Sequence, residues 1–167
     1  DNMYEITPQH EFLVGIDSDG CAFDTMELKH KECFIPNTVK HYELQPISKY
    51  AREAAEFVNL YSKSRGINRF PALIETLQWL QRRPEVQARG VRIEVPDSLV
   101  RWVEEETKLG NPALEAKIER TPDAQLQRAL AWSTAVNDTV AEMVHGVPRF
   151  PFVRESLEKL SGGADML

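Results

Sequence analysis

The sequence predicts an α/β chain built mainly of helices, and three observations predict it. An apolar run, Phe12 to Ile16, ends on acids in FLVGIDSDGCAFDT. Helical periodicities then fill the stretch from about 47 to 145. A final helical segment leads into a second short apolar run that begins at Ala164.

The elements follow in order. Phe12 to Ile16 is nearly continuously apolar, the pattern of a strand covered on both faces as in a parallel sheet. Ile47, Tyr50, Ala51, Ala54, Ala55, Val58 and Tyr61 recur at three and four residues, so a helix is expected from about 47 to 63. Pro71 fits a first helical turn, Leu73, Ile74, Leu77 and Leu80 share one face, and RRP stops the run at Arg82 to Pro84. Val91 to Val95 alternates apolar and charged residues and reads as a short strand or an extended connection. Helices are expected over Leu99 to Leu109, ending at Gly110, and over Pro112 to Glu119, with Thr121 and Pro122 as the cap and first turn of a long helix. Leu126, Ala129, Leu130, Ser133, Val136, Val140 and Val144 form the buried face of that helix as far as Gly146. Phe152 to Leu160 is helical, Gly162 and Gly163 end it, and Ala164 opens a strand. A lone strand cannot satisfy its own edges, so the strand before Asp17 needs neighbours.

Composition narrows the function classes. With 26 Asp+Glu against 20 Lys+Arg, the net charge is -6 and the pI about 5.3, which gives no broad positive field for nucleic acid. Cys21 and Cys33 form neither a CxxC nor a disulfide framework, which favours a reducing, cytoplasmic setting. No apolar run approaches the roughly 20 residues that span a bilayer, and DNMYEITPQHEF lacks the regions of a signal peptide, so no membrane partner is expected.

Asp17 and Asp19 flank a single residue at the strand's end. Desolvating two like charges without a partner is costly, so a cation or a reaction should use them. An EF-hand loop wants an oxygen ligand, Gly and Glu at its fifth, sixth and twelfth places, where Cys21, Ala22 and Leu28 stand. A solvated Asp- and Gly-rich turn is a second reading. Phosphoryl transfer is a third: one carboxylate attacks phosphorus, another moves a proton to the leaving oxygen, and Mg²⁺ neutralises the charge. Acids one residue apart suit that division of labour, because alternate residues of an extended backbone project the same way.

GIDSDGCAFDT resembles the first motif of the haloacid dehalogenase superfamily of phosphatases and phosphomutases, and the following ELKH is similar to its β-phosphoglucomutase-like branch. The resemblance implies Asp17 as the nucleophile and a Mg²⁺ ligand. It implies Asp19 as the general acid/base whose backbone carbonyl also ligates the metal. Gly20 permits the tight turn, and Asp24 and Thr25 close the loop. Dehalogenases of this fold usually lack the second acid, so phosphate chemistry is favoured. Ser18 and Cys21 depart from the family's usual apolar residue and Thr.

The resemblance further implies a Rossmann-like core begun at 1–26, a helical cap over 27–145, and a return to the core over 146–167 through a segment, PFVRESLEKLSGGADML, similar to the family's returning helix. The second motif's Ser or Thr, the third motif's Lys or Arg and the fourth motif's acids are expected beyond Leu167, so these residues alone are expected not to catalyse. The expected substrate is a small phosphorylated metabolite. Phosphatase is the leading reading, with a phosphomutase or a noncatalytic binding module as alternatives.

In SKSRGINRF, Lys63, Arg65 and Arg69 cluster around Gly66. The resemblance places this loop over the active site, with Arg65, Asn68 and Arg69 as substrate contacts; a solvated loop is the alternative. His30 with Cys33, and His10, His41 and His145, lack the spacing of a zinc site. Trp79, Trp102 and Trp132 lie in expected helices and are read as packing rather than a stacking platform.

Overall fold

The computed structural model describes residues 7–167. The first six residues of the expected 1–26 core segment, including the start of the segment read for a leader, lie outside the described residues. The chain divides into two units, one containing residues 7–26 with Gly146–Leu167 and the other Glu27–His145. Among the described residues no helix is long and apolar enough to cross a membrane.

In the first unit, β1 (Phe12–Val14) pairs in parallel with β2 (Ala164–Met166), with Phe12 opposite Ala164 and Val14 opposite Met166. The ladder runs on through Leu167 N–H to the Val14 carbonyl at 3.0 Å and Ile16 N–H to the Leu167 carbonyl at 2.9 Å. Hydrogen bonding therefore reaches the residue before Asp17, although the regular strand is shorter than the apolar run. A strand that needs further neighbours should be poorly covered within these residues alone, and it is: Phe12 is 64% and Leu13 61% exposed, and a wider Rossmann-like core is not among the described residues. The connection to β2 is made by a helix over Val153–Leu160. Asp165 on β2 ties down the segment before β1, accepting the Gln9 and His10 backbone N–H groups at 2.8 and 3.2 Å and facing His10 Nδ1 at 3.0 Å. Those bonds, the His10 side chain's first, hold the Asp165 carboxyl below its usual range.

The second unit is helical: α1 (Met26–Leu28) leads into it, a π-helical turn (Lys29–Phe34) and α2 (Ile35–His41) follow. A short 3-10 turn (Gln45–Ile47) enters α3 (Ser48–Glu56), which ends in a second π-helical turn (Phe57–Tyr61). Then come α4 (Arg69–Arg82), α5 (Pro84–Gln87), α6 (Asp97–Glu105), α7 (Asn111–Arg120) and α8 (Ala124–Met143). The helix over Val153–Leu160, in the first unit, is α9.

The two π-helical turns explain where periodicity misleads. A wider turn breaks the 3.6-residue register. Residues 26–41 show no clean stripe for that reason, and Tyr61, expected on the buried face, is exposed while Val58 is fully buried. Ser62 N–H bonds the Phe57 carbonyl at 2.7 Å, the five-residue step that rotates the face.

Elsewhere the apolar faces meet as their spacing demands. Leu73, Ile74, Leu77 and Leu80 of α4 pack with Leu99 and Trp102 of α6, Leu114 of α7, and Leu126, Ala129, Trp132 and Val136 of α8 in one core. Full burial of each large side chain stabilises by about 1.5–3 kcal/mol, which fixes the helices against one another. Trp102 and Trp132 are core residues, but Trp79 is 49% exposed, contrary to its expected packing role, and rests edge-on against Phe57 at 5.0 Å.

Two boundaries differ from expectation, and the choice left open at Val91 to Val95 falls to the extended connection. Residues 91–96 are an extended connection without a strand partner among the described residues. α6 stops at Glu105 because the Glu106 carboxylate accepts the Thr107 and Lys108 N–H groups, at 2.9 and 3.1 Å, a local turn that competes with further helix. The cap of α8 is Asp123, not Thr121. Its Oδ1 accepts from Gln125 and Leu126 N–H at 2.9 and 3.0 Å, and its Oδ2 from Ser98 Oγ at 2.7 Å.

The Ser98 hydrogen bond, then the backbone ones, lower the Asp123 pKa. A depressed carboxyl contributes stability above its unfolded pKa, about 3.9, and loses it as pH falls through the lower folded value. Asp123→Ala is expected to reduce unfolding free energy by about 1 kcal/mol at pH 7, read by urea denaturation, with the difference shrinking in acid. Equal midpoints at pH 7 would contradict the cap assignment.

Candidate functional site

The acids follow directly from the end of the β1–β2 ladder. After Asp17, the chain closes a tight turn in which the Ser18 carbonyl accepts from Ala22 and Phe23 N–H at 3.1 and 3.0 Å, and Gly20 N–H donates to the Phe23 carbonyl at 2.9 Å. Gly20 sits at φ 70°, and a Cβ there would come within 2.7 Å of Met26 Cγ. Glycine is required on both counts: the left-handed backbone and the absent side chain.

The turn is braced from within its own unit. Phe150 N–H bonds the Ala22 carbonyl at 3.0 Å, and Asp24 N–H bonds the Pro148 carbonyl at 3.4 Å. Thr25 is buried and its Oγ1 donates to Asp19 Oδ1 at 2.8 Å. This bond fixes one carboxylate oxygen of Asp19; Asp17 and Asp19 are both exposed residues. The two acids thus sit on one braced turn at the protein surface.

The donor set suits a hard cation in kind, since a carboxylate and a backbone carbonyl are oxygen ligands and Mg²⁺ is usually held by one or two carboxylates with waters completing its shell. Asp17 and the Asp19 carbonyl are the ligands that the resemblance implies. Among the described residues no group of three or more His, Cys, Asp or Glu stands together to hold a metal.

The cations expected above a substrate lie in the helical unit, and the structure separates their roles. Arg65 is exposed and its Nη1 reaches the Ser62 carbonyl at 3.3 Å. Asn68 caps α4, its Oδ1 accepting Phe70 N–H at 3.0 Å, while its Nδ2 donates to the Leu109 carbonyl at 2.9 Å. Arg69 is not a loop residue but the first residue of α4, and it is half-buried. Asn68 and Arg69 line one pocket, together with Asn111 and Asn137, and Arg65 is not part of it. Sequence reasoning missed Asn111, Ser133 and Asn137. Their only signal was polar residues at or beside a helix's buried stripe.

His30 and Cys33 are buried in the helical unit. The His30 ring lies 4.9 Å from that of Phe34, and burial, then the charge of Lys29, pushes its pKa down to about 4. The imidazole is therefore neutral at pH 7 and serves packing. Cys21 is exposed on the acidic turn and carries a free thiol.

Comparisons with protein-family models, with curated proteins and with solved structures found no match.

Proposed function

We propose that the chain carries the nucleophile segment and helical cap of a Mg²⁺-dependent phosphate monoester hydrolase of the haloacid dehalogenase type. The observation that supports this most is the placement of Asp17 and Asp19 on a glycine-dependent turn at the end of a parallel strand, with Thr25 holding one oxygen of Asp19. A solvated turn needs neither the buried threonine nor the bracing by residues 148–150.

In this reading an Asp17 carboxylate oxygen attacks phosphorus and the ester P–O bond breaks. Asp19 gives its proton to the departing oxygen, so the alcohol leaves neutral. Water then attacks the aspartyl phosphate, Asp19 takes a proton from it, and phosphate and the Asp17 carboxylate are regenerated. The Asp17 carboxylate and the Asp19 carbonyl would hold Mg²⁺, which when bound neutralises phosphoryl charge. Completing the site takes the Ser or Thr, the Lys or Arg, and the further acids that the resemblance implies. Arg65, Asn68 and Arg69 remain the proposed contacts to the leaving group of a small phosphorylated metabolite.

The test is metal dependence in the full-length protein. Hydrolysis of an aryl phosphate in Mg²⁺ is expected to fall to background when EDTA is added and to return when Mg²⁺ is restored in excess. Turnover that persists unchanged in EDTA would overturn the proposal.

A further inference from the structure

Arg69 is a half-buried cation with no carboxylate beside it: it enters no ion pair among the described residues. Its guanidinium lies over the Phe34 ring, 5.1 Å from the centroid. All three of its hydrogen bonds leave from Nη1, to the Ser133 carbonyl at 3.1 Å, Ser133 Oγ at 3.0 Å and Asn137 Oδ1 at 2.7 Å. Every one of those acceptors is neutral. Taking an arginine partly out of water without a countercharge is unfavourable; these dipoles, the Phe34 ring and the solvent in the cavity offset that cost, and an anion from outside would offset it further. Burial alone accounts for the lowering of its pKa.

The pattern of hydrogen bonds leaves part of the guanidinium to meet such an anion. Nη1 is committed to α8, which leaves the Nε–H and Nη2–H edge of the fork, the pair that accepts a carboxylate side-on with two parallel hydrogen bonds. Arg69 lines an open cavity of about 330 Å³ with Asn68, Gly110, Asn111 and Asn137. That is room for a small organic molecule as well as for a bare ion. The positive end of α7 opens on the same cavity at Gly110 and Asn111, and no side chain caps it.

We propose that this pocket in the helical unit binds the carboxylate of a small organic acid, held side-on by Arg69 and flanked by the amides of Asn68, Asn111 and Asn137. Charge selects the class: one guanidinium balances one carboxylate, whereas a phosphate monoester brings about 1.5 to 2 negative charges to a pocket otherwise lined by neutral groups. The inference goes beyond the phosphatase reading by assigning Arg69 and Asn68 a carboxylate in place of a general contact to a leaving group; the carboxylate can belong to a phosphorylated substrate or to a separate acid, so the inference holds whether or not Asp17 and Asp19 hydrolyse phosphate.

The test reads binding, not turnover. Isotope-labelled full-length protein is titrated with butyrate, with inorganic phosphate, and with chloride at matched ionic strength, while the Arg69 Nε–H and the side-chain amides of Asn111 and Asn137 are followed by NMR. Butyrate is expected to give saturable shifts at these groups beyond those from chloride. Arg69→Met would also disturb packing, so the decisive variant is Asn137→Asp. Its carboxylate still accepts the Nη1 hydrogen bond, which preserves the fold, but supplies the missing countercharge. Butyrate binding is then expected to weaken at least about tenfold, while the melting temperature is unchanged or raised. Shifts no larger than those from chloride, butyrate binding unchanged in Asn137→Asp, or tighter binding of phosphate than of butyrate would each overturn the proposal.

Discussion

Asp17→Asn in the full-length protein is expected to abolish hydrolysis of an aryl phosphate in Mg²⁺ while leaving the fold intact. The amide is isosteric with the carboxylate but cannot attack phosphorus, so no covalent route remains. Asp17 is exposed, and exposed substitutions of this kind usually change stability by no more than about 0.5 kcal/mol. An unchanged melting temperature with lost turnover is therefore the predicted pair of results. Wild-type turnover in this variant would remove the nucleophile assignment, and the proposed mechanism with it.

Asp19→Asn separates the roles of the two acids. Losing the proton donor should slow turnover by about 10² to 10⁴, because the nucleophile remains. Asn keeps an acceptor for the Thr25 hydroxyl, so the turn should hold its shape. The loss should be smaller for a nitrophenyl ester than for an alkyl ester, since nitrophenolate departs with little need of a proton. Equal losses on both would argue that residue 19 acts on geometry or metal binding rather than on the leaving oxygen.

What the sequence showed, and what it hid, follows from the range of the interactions involved. The α4 stripe of Leu73, Ile74, Leu77 and Leu80 is local and regular, and those residues are buried as their spacing implied. Tyr61 and the helix over 26–41 were not legible, because a π turn is a local change of register set by tertiary packing rather than by any single residue type. The cap of α8 was misplaced by two residues: Thr121 and Asp123 are both good cap residues, and the deciding partner, Ser98, lies on another helix.

The site shows the same limit. Gly20 and the acids could be read from a contiguous string, and Thr25 stands in that string too. The environment of Arg69 could not. A cluster of basic residues in SKSRGINRF looks like one loop, yet the fold turns Arg69 inward against Ser133 and Asn137, residues 64 and 68 positions away in sequence, and leaves Arg65 in solvent. The apolar run of β1 likewise reports what a strand can bury and not which segment buries it, and Phe12 and Leu13 lie exposed among the described residues.

Trp132→Ala is expected to produce the largest loss of stability in the helical unit. Trp132 is fully buried, meets the rings of Phe34 and Phe70 edge-on at centroid distances of 6.3 and 6.1 Å, and donates its indole N–H to Thr38 Oγ1 at 3.1 Å. Truncation removes all three contacts and leaves a cavity between α2, α4 and α8 that close-packed helices fill poorly. Such changes cost about 3–5 kcal/mol, a large share of the 5–15 kcal/mol that holds a domain folded. At this size the melting temperature should fall by on the order of 10–20 °C, followed by circular dichroism. Trp132→Phe keeps most of the packing and loses chiefly the hydrogen bond, so it should cost less. Trp79→Ala supplies the comparison on the surface: its indole is half exposed, and its loss should be the mildest of the three. A Trp132→Ala melting temperature no lower than that of Trp79→Ala would mean that the helical unit is not organised around the aromatic core of Phe34, Phe70, Trp102 and Trp132.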